Sequence, residues 1–131
     1  MTKDDLELLF IDLSARLPFG LKLLHVPSGT VADMKAIDDS YIYCDNVNDL
    51  IENFKPYLRT WDSLTCKEID YIEICDEELY LRHGFYQKSA SNANDMILTL
   101  HRFHVDYREL IQKDLAIKAP DDMYEKIDYQ Y

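Results

Sequence analysis

The stretch from Leu21 to Cys44 constrains the fold more than any other part of the sequence, because three short strand-like runs follow one another there. The runs are residues 21–26, 30–37 and 41–44. Turn-forming residues separate them, and apolar and charged side chains alternate along the middle run, as in a strand with one face in water. Turns this short favour antiparallel neighbours. We therefore predict a three-stranded antiparallel β-meander, which has to pack against helices to be stable.

A helix is predicted on the N-terminal side of this meander. Thr2 and Asp5 have the spacing of a capping box, and apolar residues then recur at helical intervals as far as Leu17. Because the residue before a proline avoids helical geometry, Pro18 is expected to end this helix. The predicted helix covers about residues 3–16 and presents a broad apolar face.

Further helices are predicted after the meander. Asn46 is suited to cap a short helix that Pro56 ends, and the T-x-x-E pattern at Thr65 is a capping box that begins another helix. A later helix is predicted over about 93–103. The stretch "NFKPYLRTWDSLT", residues 53–65, is then the joint between two capped helices.

The composition indicates one globular domain. The chain has 131 residues, of which 47% are hydrophobic, so it is long and apolar enough to form a single core. We predict one α+β domain over residues 1–131, in which the small three-stranded meander packs against several helices. The polar end of the chain predicts a mobile tail at about 120–131.

Three observations indicate a cytoplasmic protein. Acidic residues interrupt the N-terminus where a signal peptide is apolar, and no run approaches the roughly 18 apolar residues of a membrane span. The three cysteines are odd in number and far apart, which is typical of reduced thiols rather than of a disulfide framework or a zinc knuckle. We expect no membrane partner.

The negative charge is concentrated in the middle of the chain. The net charge is −11, and the segment 38–78 holds twelve acidic and three basic residues, a net of −9. A nucleic-acid-binding surface needs clustered Lys and Arg to neutralise phosphates, and the sequence has no such cluster. We therefore expect no direct nucleic-acid binding.

Three blocks of the sequence resemble a known family. They are "DLSARLPFGLK" (12–22), "KPYLRTWDSLTCKE" (55–68) and "HVDYRELIQKDLAIKAPDDMY" (104–124). These blocks are similar to the patterns DLCARLPYGVK, KPYLRPMSSMTEEE and HFDYRGLIEKGLALEAPEGMY of small uncharacterised proteins common in gut bacterial genomes and phages. The chain departs from the family where Thr60 replaces proline, Asp62 replaces serine, and Glu109 and Asp114 replace glycines. The resemblance implies an intracellular origin on a mobile element and transfers no catalytic residue.

A metal site is weakly suggested by His101 and His104, which are spaced to share one face of a helix. Asp106 or His83 would have to complete it, because a metal site needs three or four ligands in fixed geometry. The alternative, which we favour, is that these histidines lie at a helix end and on the surface. The sequence also lacks a nucleophile elbow and a glycine-rich phosphate loop. We expect no metal, no cofactor and no catalytic residue.

Tyr57, Arg59 and Trp61 alternate across the joint and are the predicted binding residues. Tyr, Arg and Trp are the residue types that dominate interface hot spots. The alternative, which we favour, is that Tyr57 and Trp61 pack half-buried against the sheet and the stretch is mainly a joint. Arg16, Arg59 and Arg108 each lie in a block that resembles the family. Such arginines either hold an anionic ligand or, as we favour, pair with helix ends and loop carbonyls.

Three functions are weighed on this basis. The leading hypothesis is a non-catalytic intracellular protein-interaction or accessory domain with a protein partner, because the joint is rich in hot-spot residue types. The first alternative is an acidic nucleic-acid mimic that inhibits a DNA- or RNA-binding protein, which requires the carboxylates of 38–78 to lie on one exposed face. The second alternative is a small enzyme whose site matches no known motif.

Overall fold

The computed structural model describes residues 1–69 and 97–126, in which a helix precedes a six-stranded mixed sheet. Helix α1 spans Lys3–Arg16. The strands are β1 (Lys22–His25), β2 (Thr30–Ile37), β3 (Tyr41–Cys44), β4 (Asn48–Leu50), β5 (Phe54–Leu58) and β6 (Ile117–Lys118). Their order in the sheet is β4-β3-β2-β1-β5-β6, and every neighbouring pair is antiparallel except β5 and β6. The class is α+β, as predicted.

The prediction of a three-stranded meander is wrong, although its three strands exist. β1, β2 and β3 are antiparallel neighbours near the predicted positions, but β4 and β5 extend the sheet on both sides. A meander alone would leave the backbone N–H and C=O groups of two edge strands without partners. The segment predicted as a short helix between Asn46 and Pro56 supplies those partners. It forms β4, a 3₁₀ turn at Ile51–Asn53 and the first half of β5.

The sheet is strongly curled. The first half of β2 pairs with β1 and its second half pairs with β3, with an irregular register between Met34 and Ala36. In a flat sheet β1 and β4 would be roughly 14 Å apart, since neighbouring strands are spaced by about 4.8 Å. His25 on β1 nevertheless places Nε2 only 2.8 Å from Asp49 Oδ2 on β4. The curl therefore brings β4 back towards β1 and encloses the core.

Helix α1 begins and ends where the sequence predicts. Thr2 Oγ1 accepts the backbone N–H of Asp5 at 3.0 Å, and Asp5 Oδ2 accepts that of Thr2 at 3.4 Å, so the capping box is confirmed. A 3₁₀ turn at Leu17–Phe19 follows and contains Pro18. Gly20 then adopts a φ of 71°, a left-handed conformation that glycine reaches without steric cost, and the chain enters β1.

The main core lies between α1 and one face of the sheet. Its fully buried members include Leu9, Leu13, Leu21, Leu23, Ile42, Phe54, Leu58 and Leu110. Burial alternates along β1, β3 and β5, so every second side chain points into this core. Residues from the C-terminal part of the chain, such as Leu115, complete it.

The C-terminal part of the chain, residues 97–126, contains little regular structure. Residues 97–102 are helical and belong to the helix predicted over 93–103, whose first residues lie outside the described part. Turns then continue as far as β6, which pairs in parallel with β5. Tyr124, within the predicted tail, is buried and hydrogen-bonded to the backbone of the sheet. This segment therefore seals the β5 side of the core.

Candidate interaction site

The first part of the predicted joint is strand β5, and the part that follows, residues 59–65, is organised by a buried ion pair. The guanidinium of Arg59 donates from Nη1 to Glu68 Oε2 and from Nη2 to Glu68 Oε1, both at 2.7 Å. The side chain of Arg59 is 3% exposed and that of Glu68 is 0% exposed. Arg59 Nη2 also donates to the carbonyl of Ser63 at 2.9 Å. Two parallel charge-assisted bonds fix both side chains in one geometry. The guanidinium of Arg59 is therefore bonded to groups of the protein itself.

Glu68 has a second role in the same cluster. Its Oε1 accepts the backbone N–H of Thr65 at 2.8 Å, and Thr65 Oγ1 accepts that of Glu68 at 3.2 Å. The predicted T-x-x-E capping box is thereby confirmed, and residues 66–69 are helical. One carboxylate therefore begins this helix and neutralises Arg59.

The backbone of Arg59 connects the joint to the C-terminal segment. Its N–H donates to the carbonyl of His104 at 2.7 Å, and its carbonyl accepts the N–H of Asp106 at 2.9 Å. A small second core lies beside this contact and consists of Leu64, Leu100, Phe103 and Val105. The joint is thus held from both sides, by an ion pair and by a two-bond backbone bridge.

Trp61 is exposed to solvent two residues after the buried Arg59. A 3₁₀ turn at Trp61–Ser63 follows Arg59, and the hydroxyl of Ser63 donates to the carbonyl of Thr60 at 2.7 Å. The hydroxyl of Thr60 in turn donates to the carboxylate of Asp62, and this bond lowers the pKa of that carboxyl below its ordinary value. Trp61 itself is 49% exposed. The indole is therefore partly packed and leaves about half of its surface available.

A groove of about 230 Å³ lies next to Trp61. It is lined by Thr60, Trp61, Asp106, Tyr107, Glu109, Ile111 and Gln112. The carboxylate of Asp106 accepts the N–H groups of Leu110 at 2.8 Å and Ile111 at 2.9 Å, which fixes the turn that forms one wall. The described residues of the groove therefore combine aromatic surface with acidic groups and include no Lys or Arg.

The three predicted binding residues do not share one environment. Trp61 lines the groove, whereas Arg59 is buried and does not line it, and Tyr57 is half-buried on β5 against the main core. Sequence reasoning missed the groove residues Tyr107 and Ile111. The signal that could have found them is the third block resembling the family, which contains both.

Arg16 is also buried and makes structural contacts, as the favoured interpretation of the arginines predicts. Its Nε lies 2.8 Å from Asp12 Oδ2, and its Nη2 donates to the carbonyl of Val105 at 2.7 Å. Arg108 approaches the other oxygen of Asp12 at 3.5 Å. Both guanidinium groups lie over the ring of Tyr107, that of Arg16 at 5.3 Å and that of Arg108 at 5.1 Å from its centroid. This cluster ties α1 to the C-terminal segment.

The two histidines of the suggested metal site face different surroundings. His101 Nε2 lies 2.6 Å from the hydroxyl of Tyr107, and burial lowers its pKa. His104 stacks on Tyr124 with ring centroids 3.8 Å apart, and burial, helped by the nearby Arg16, Arg59 and Lys22, lowers its pKa to about 4. Within residues 1–69 and 97–126, no group of three or more His, Cys, Asp or Glu side chains is arranged to hold a metal ion. His83 lies outside those ranges.

A comparison of the chain finds no matching protein family, curated protein or solved structure. The resemblance of the three sequence blocks therefore stays a hypothesis. Among the helices that the structure describes, none has the length and apolar character needed to cross a bilayer.

Proposed function

We propose that this chain is a non-catalytic protein-interaction domain whose contact surface is centred on Trp61. The observation that carries the proposal is a tryptophan that is 49% exposed and lines a groove, while its support is buried. Tryptophan is the residue type with the largest share of interface hot spots, because it buries much apolar area at little entropic cost. A large exposed aromatic residue held on a rigid base suits recognition of another protein.

The rigidity of the base supports the proposal. Arg59 lies two residues before Trp61, and its guanidinium is bonded to Glu68 and to the carbonyl of Ser63. The turn that carries Trp61 is thereby held at Arg59 before it and at Ser63 at its end. Less conformational entropy is lost on binding when a contact residue is already held in place.

The groove indicates the chemistry of the partner. At about 230 Å³ it is smaller than the roughly 300 Å³ at which pockets for drug-sized ligands begin. Among the described residues, its lining includes the exposed acid Glu109 and no Lys or Arg, while the carboxylate of Asp106 is already bonded to the backbone. A protruding peptide segment with one large apolar side chain flanked by basic residues would complement both the shape and the charge. We therefore expect the partner to be a protein that presents such a segment.

The structure offers less support for the nucleic-acid mimic. Of the acidic residues in 38–78 that the structure describes, several are used by the protein itself: Glu68 pairs with Arg59, Asp49 with His25, and Asp38 accepts the hydroxyl of Tyr43 at 2.7 Å. Mimicry of a phosphate backbone requires carboxylates that are free and aligned.

The proposal is tested with Trp61→Ala in a peptide-display selection. The wild-type protein should enrich peptides that combine a large apolar residue with Lys or Arg, and their binding should change the emission of Trp61, which is the only tryptophan. In Trp61→Ala the binding should weaken at least about tenfold, as for a hot-spot residue. The free energy of unfolding should fall by less than about 1 kcal/mol, compared with about 3–5 kcal/mol for a fully buried aromatic residue.

Tyr41→Ala is the matched control, since Tyr41 is a similarly exposed aromatic residue on β3 and does not line the groove. It should bind the selected peptides like the wild type. Equal weakening in both variants, or enrichment of peptides without basic residues, would contradict the proposal. A blue-shifted, quencher-protected emission from the free protein would also contradict it.

A further inference from the structure

A second and larger groove lies away from Trp61, with a volume of about 530 Å³. It is formed where the 3₁₀ turn after α1, the end of the helical segment 97–102 and the segment around Tyr124 meet. None of its lining residues lines the groove beside Trp61. Its volume is within the range of about 300–1,000 Å³ that is typical of small-molecule sites.

The lining of this groove is basic, although the chain as a whole carries a net charge of −11. Among the described residues, Lys22, Arg102 and Lys126 line it together with one acid, Glu125. Lys22 Nζ is 2.9 Å from Asp33 Oδ1, and Lys126 Nζ is 4.0 Å from Asp121 Oδ1. Arg102 is exposed, and its guanidinium makes no hydrogen bond or ion pair in the part of the chain that the structure describes. The groove therefore holds a guanidinium that is available to an anion.

A buried polar group in the wall is a second and independent observation. His104 lines the groove and is only 7% exposed, and its Nδ1 is buried without a hydrogen-bond partner among the described residues. Buried polar atoms are rarely left without a partner in folded proteins, so this nitrogen in the wall of a groove calls for an explanation such as a bound water or ion. The imidazole is held in position by its stack on Tyr124, whose hydroxyl donates to the carbonyl of Tyr57 at 2.7 Å.

The remaining lining supplies apolar and aromatic surface. Phe19, Phe103, Met123 and Tyr124 all belong to the lining. Ligand sites commonly combine such surfaces with a few polar groups that fix orientation. Flat rings also pack favourably against aromatic side chains.

We propose that this groove binds a small organic anion, with a phosphate or carboxylate at Arg102 and a planar ring against the aromatic wall beside His104. Arg102 donates to the oxyanion as a charge-assisted fork. Lys22 and Lys126 add favourable potential at the rim, and the ring of the ligand is buried against Phe19 and Tyr124. The site is separate from the contact surface around Trp61, so either proposal stands if the other fails.

The test is a titration of the full chain followed by amide NMR, with phenyl phosphate, benzoate and inorganic phosphate as probes. Phenyl phosphate or benzoate should cause saturable shifts confined to amides of residues 19–22, 102–104 and 123–126. The tighter of the two identifies the head group that the site takes. Inorganic phosphate, which lacks the ring, should bind at least about tenfold more weakly than phenyl phosphate.

Arg102→Ala should weaken the binding by about tenfold or more, because a hydrogen bond to a charged group is lost. Since Arg102 is exposed, the variant should fold, and its unchanged amide spectrum outside the groove is the check. Lys35→Ala is the control: it removes one exposed cation on β2 that does not line the groove, and should leave the affinity unchanged.

Three results would overturn the proposal. They are the absence of saturable shifts with both ring-bearing probes, equal weakening by Arg102→Ala and Lys35→Ala, and equal affinity for inorganic and phenyl phosphate. The second result would mean that the anion is attracted only by general charge. The third would mean that the aromatic wall makes no contact with the ligand.

Discussion

The strands β1 to β3 and the C-terminal segment 97–126 reach similar burial by different means. In the first region, each strand pairs with its neighbour in sequence, and alternating apolar side chains enter the core. In the second region regular structure is short, yet Val105 and Leu110 are fully buried. Buried polar side chains hold it, with Arg16, Arg59 and Tyr124 all bonded to backbone groups distant in sequence. The C-terminal segment therefore depends on single buried polar residues, whereas the strand region depends on many small apolar contacts.

The largest expected effect is that of removing Arg59. Arg59→Met should lower the free energy of unfolding by about 3–5 kcal/mol, because it leaves the carboxylate of Glu68 buried without its cation. Chemical denaturation measures this change. In the double variant Arg59→Met/Glu68→Gln, the loss should be smaller than in Arg59→Met alone, since the neutral amide can still accept the N–H of Thr65.

Lys22→Met is the matched control in the strand region. Lys22 pairs across strands with Asp33, and both side chains are partly exposed. Such exposed pairs contribute about 0.2–1 kcal/mol, so the variant should lose less than about 1 kcal/mol. If Lys22→Met and Arg59→Met cost the same, the contrast between the two regions would be mistaken.

A second prediction concerns the pH dependence of stability in the C-terminal segment. The pKa of His104 is about 4 in the folded protein, below its ordinary value of 6.5, chiefly because burial disfavours the charged imidazolium. Because the folded-state pKa is depressed, the contribution of His104 to the free energy of unfolding is fully present above pH 6.5. It is lost as the pH falls towards 4, since the unfolded chain binds the proton first. Between pH 7 and pH 5 the loss should be about 2 kcal/mol.

His104→Asn isolates this contribution. Asparagine removes the titrating group and tolerates the left-handed backbone of this position, where φ is 60°. The difference in unfolding free energy between wild type and variant should shrink or reverse in favour of the variant as the pH is lowered from 7 to 5. His101, whose pKa is also lowered by burial, stays in both proteins and cancels. A difference that is constant with pH would show that His104 is not buried as the structure has it.

The same contrast explains how much of the fold the sequence predicts. The helix α1, the strands of the 21–44 region and the Thr65 capping box follow from patterns within a few residues, and the structure confirms them. β4 has only three residues, and β5 contains Pro56, which predicts the end of a helix rather than a strand; β5 also pairs with β1 about 30 residues earlier in the chain. Such pairings depend on which edge is open in the folded sheet and leave no local trace.

The candidate site was predictable only in part. A tryptophan in a joint after a proline is visible in the sequence, and its exposure fits the expectation of a contact residue. The sequence does not show that Arg59 is buried two residues before an exposed Trp61. The burial of Arg59 depends on its ion pair with Glu68 and on its bond to the distant backbone of His104. The second, larger groove was missed for the same reason, since its lining residues Lys22 and Arg102 are 80 positions apart in the sequence.

The smallest expected effect lies at Glu109, in the turns of the C-terminal segment. Glu109 is exposed and has a φ of 59°, a left-handed conformation in which its Cβ approaches the following carbonyl oxygen. The resembling family has glycine at this position. Glu109→Gly should raise the free energy of unfolding by up to about 1 kcal/mol, because relief of the strain exceeds the added entropy of the unfolded chain. Glu7→Gly, an identical substitution on the exposed face of α1, should lower it by about 1 kcal/mol, since glycine is unfavourable inside a helix. Changes of opposite sign in the free energy of unfolding of the two variants would support the left-handed conformation at Glu109. A lower free energy of unfolding in both variants would contradict it.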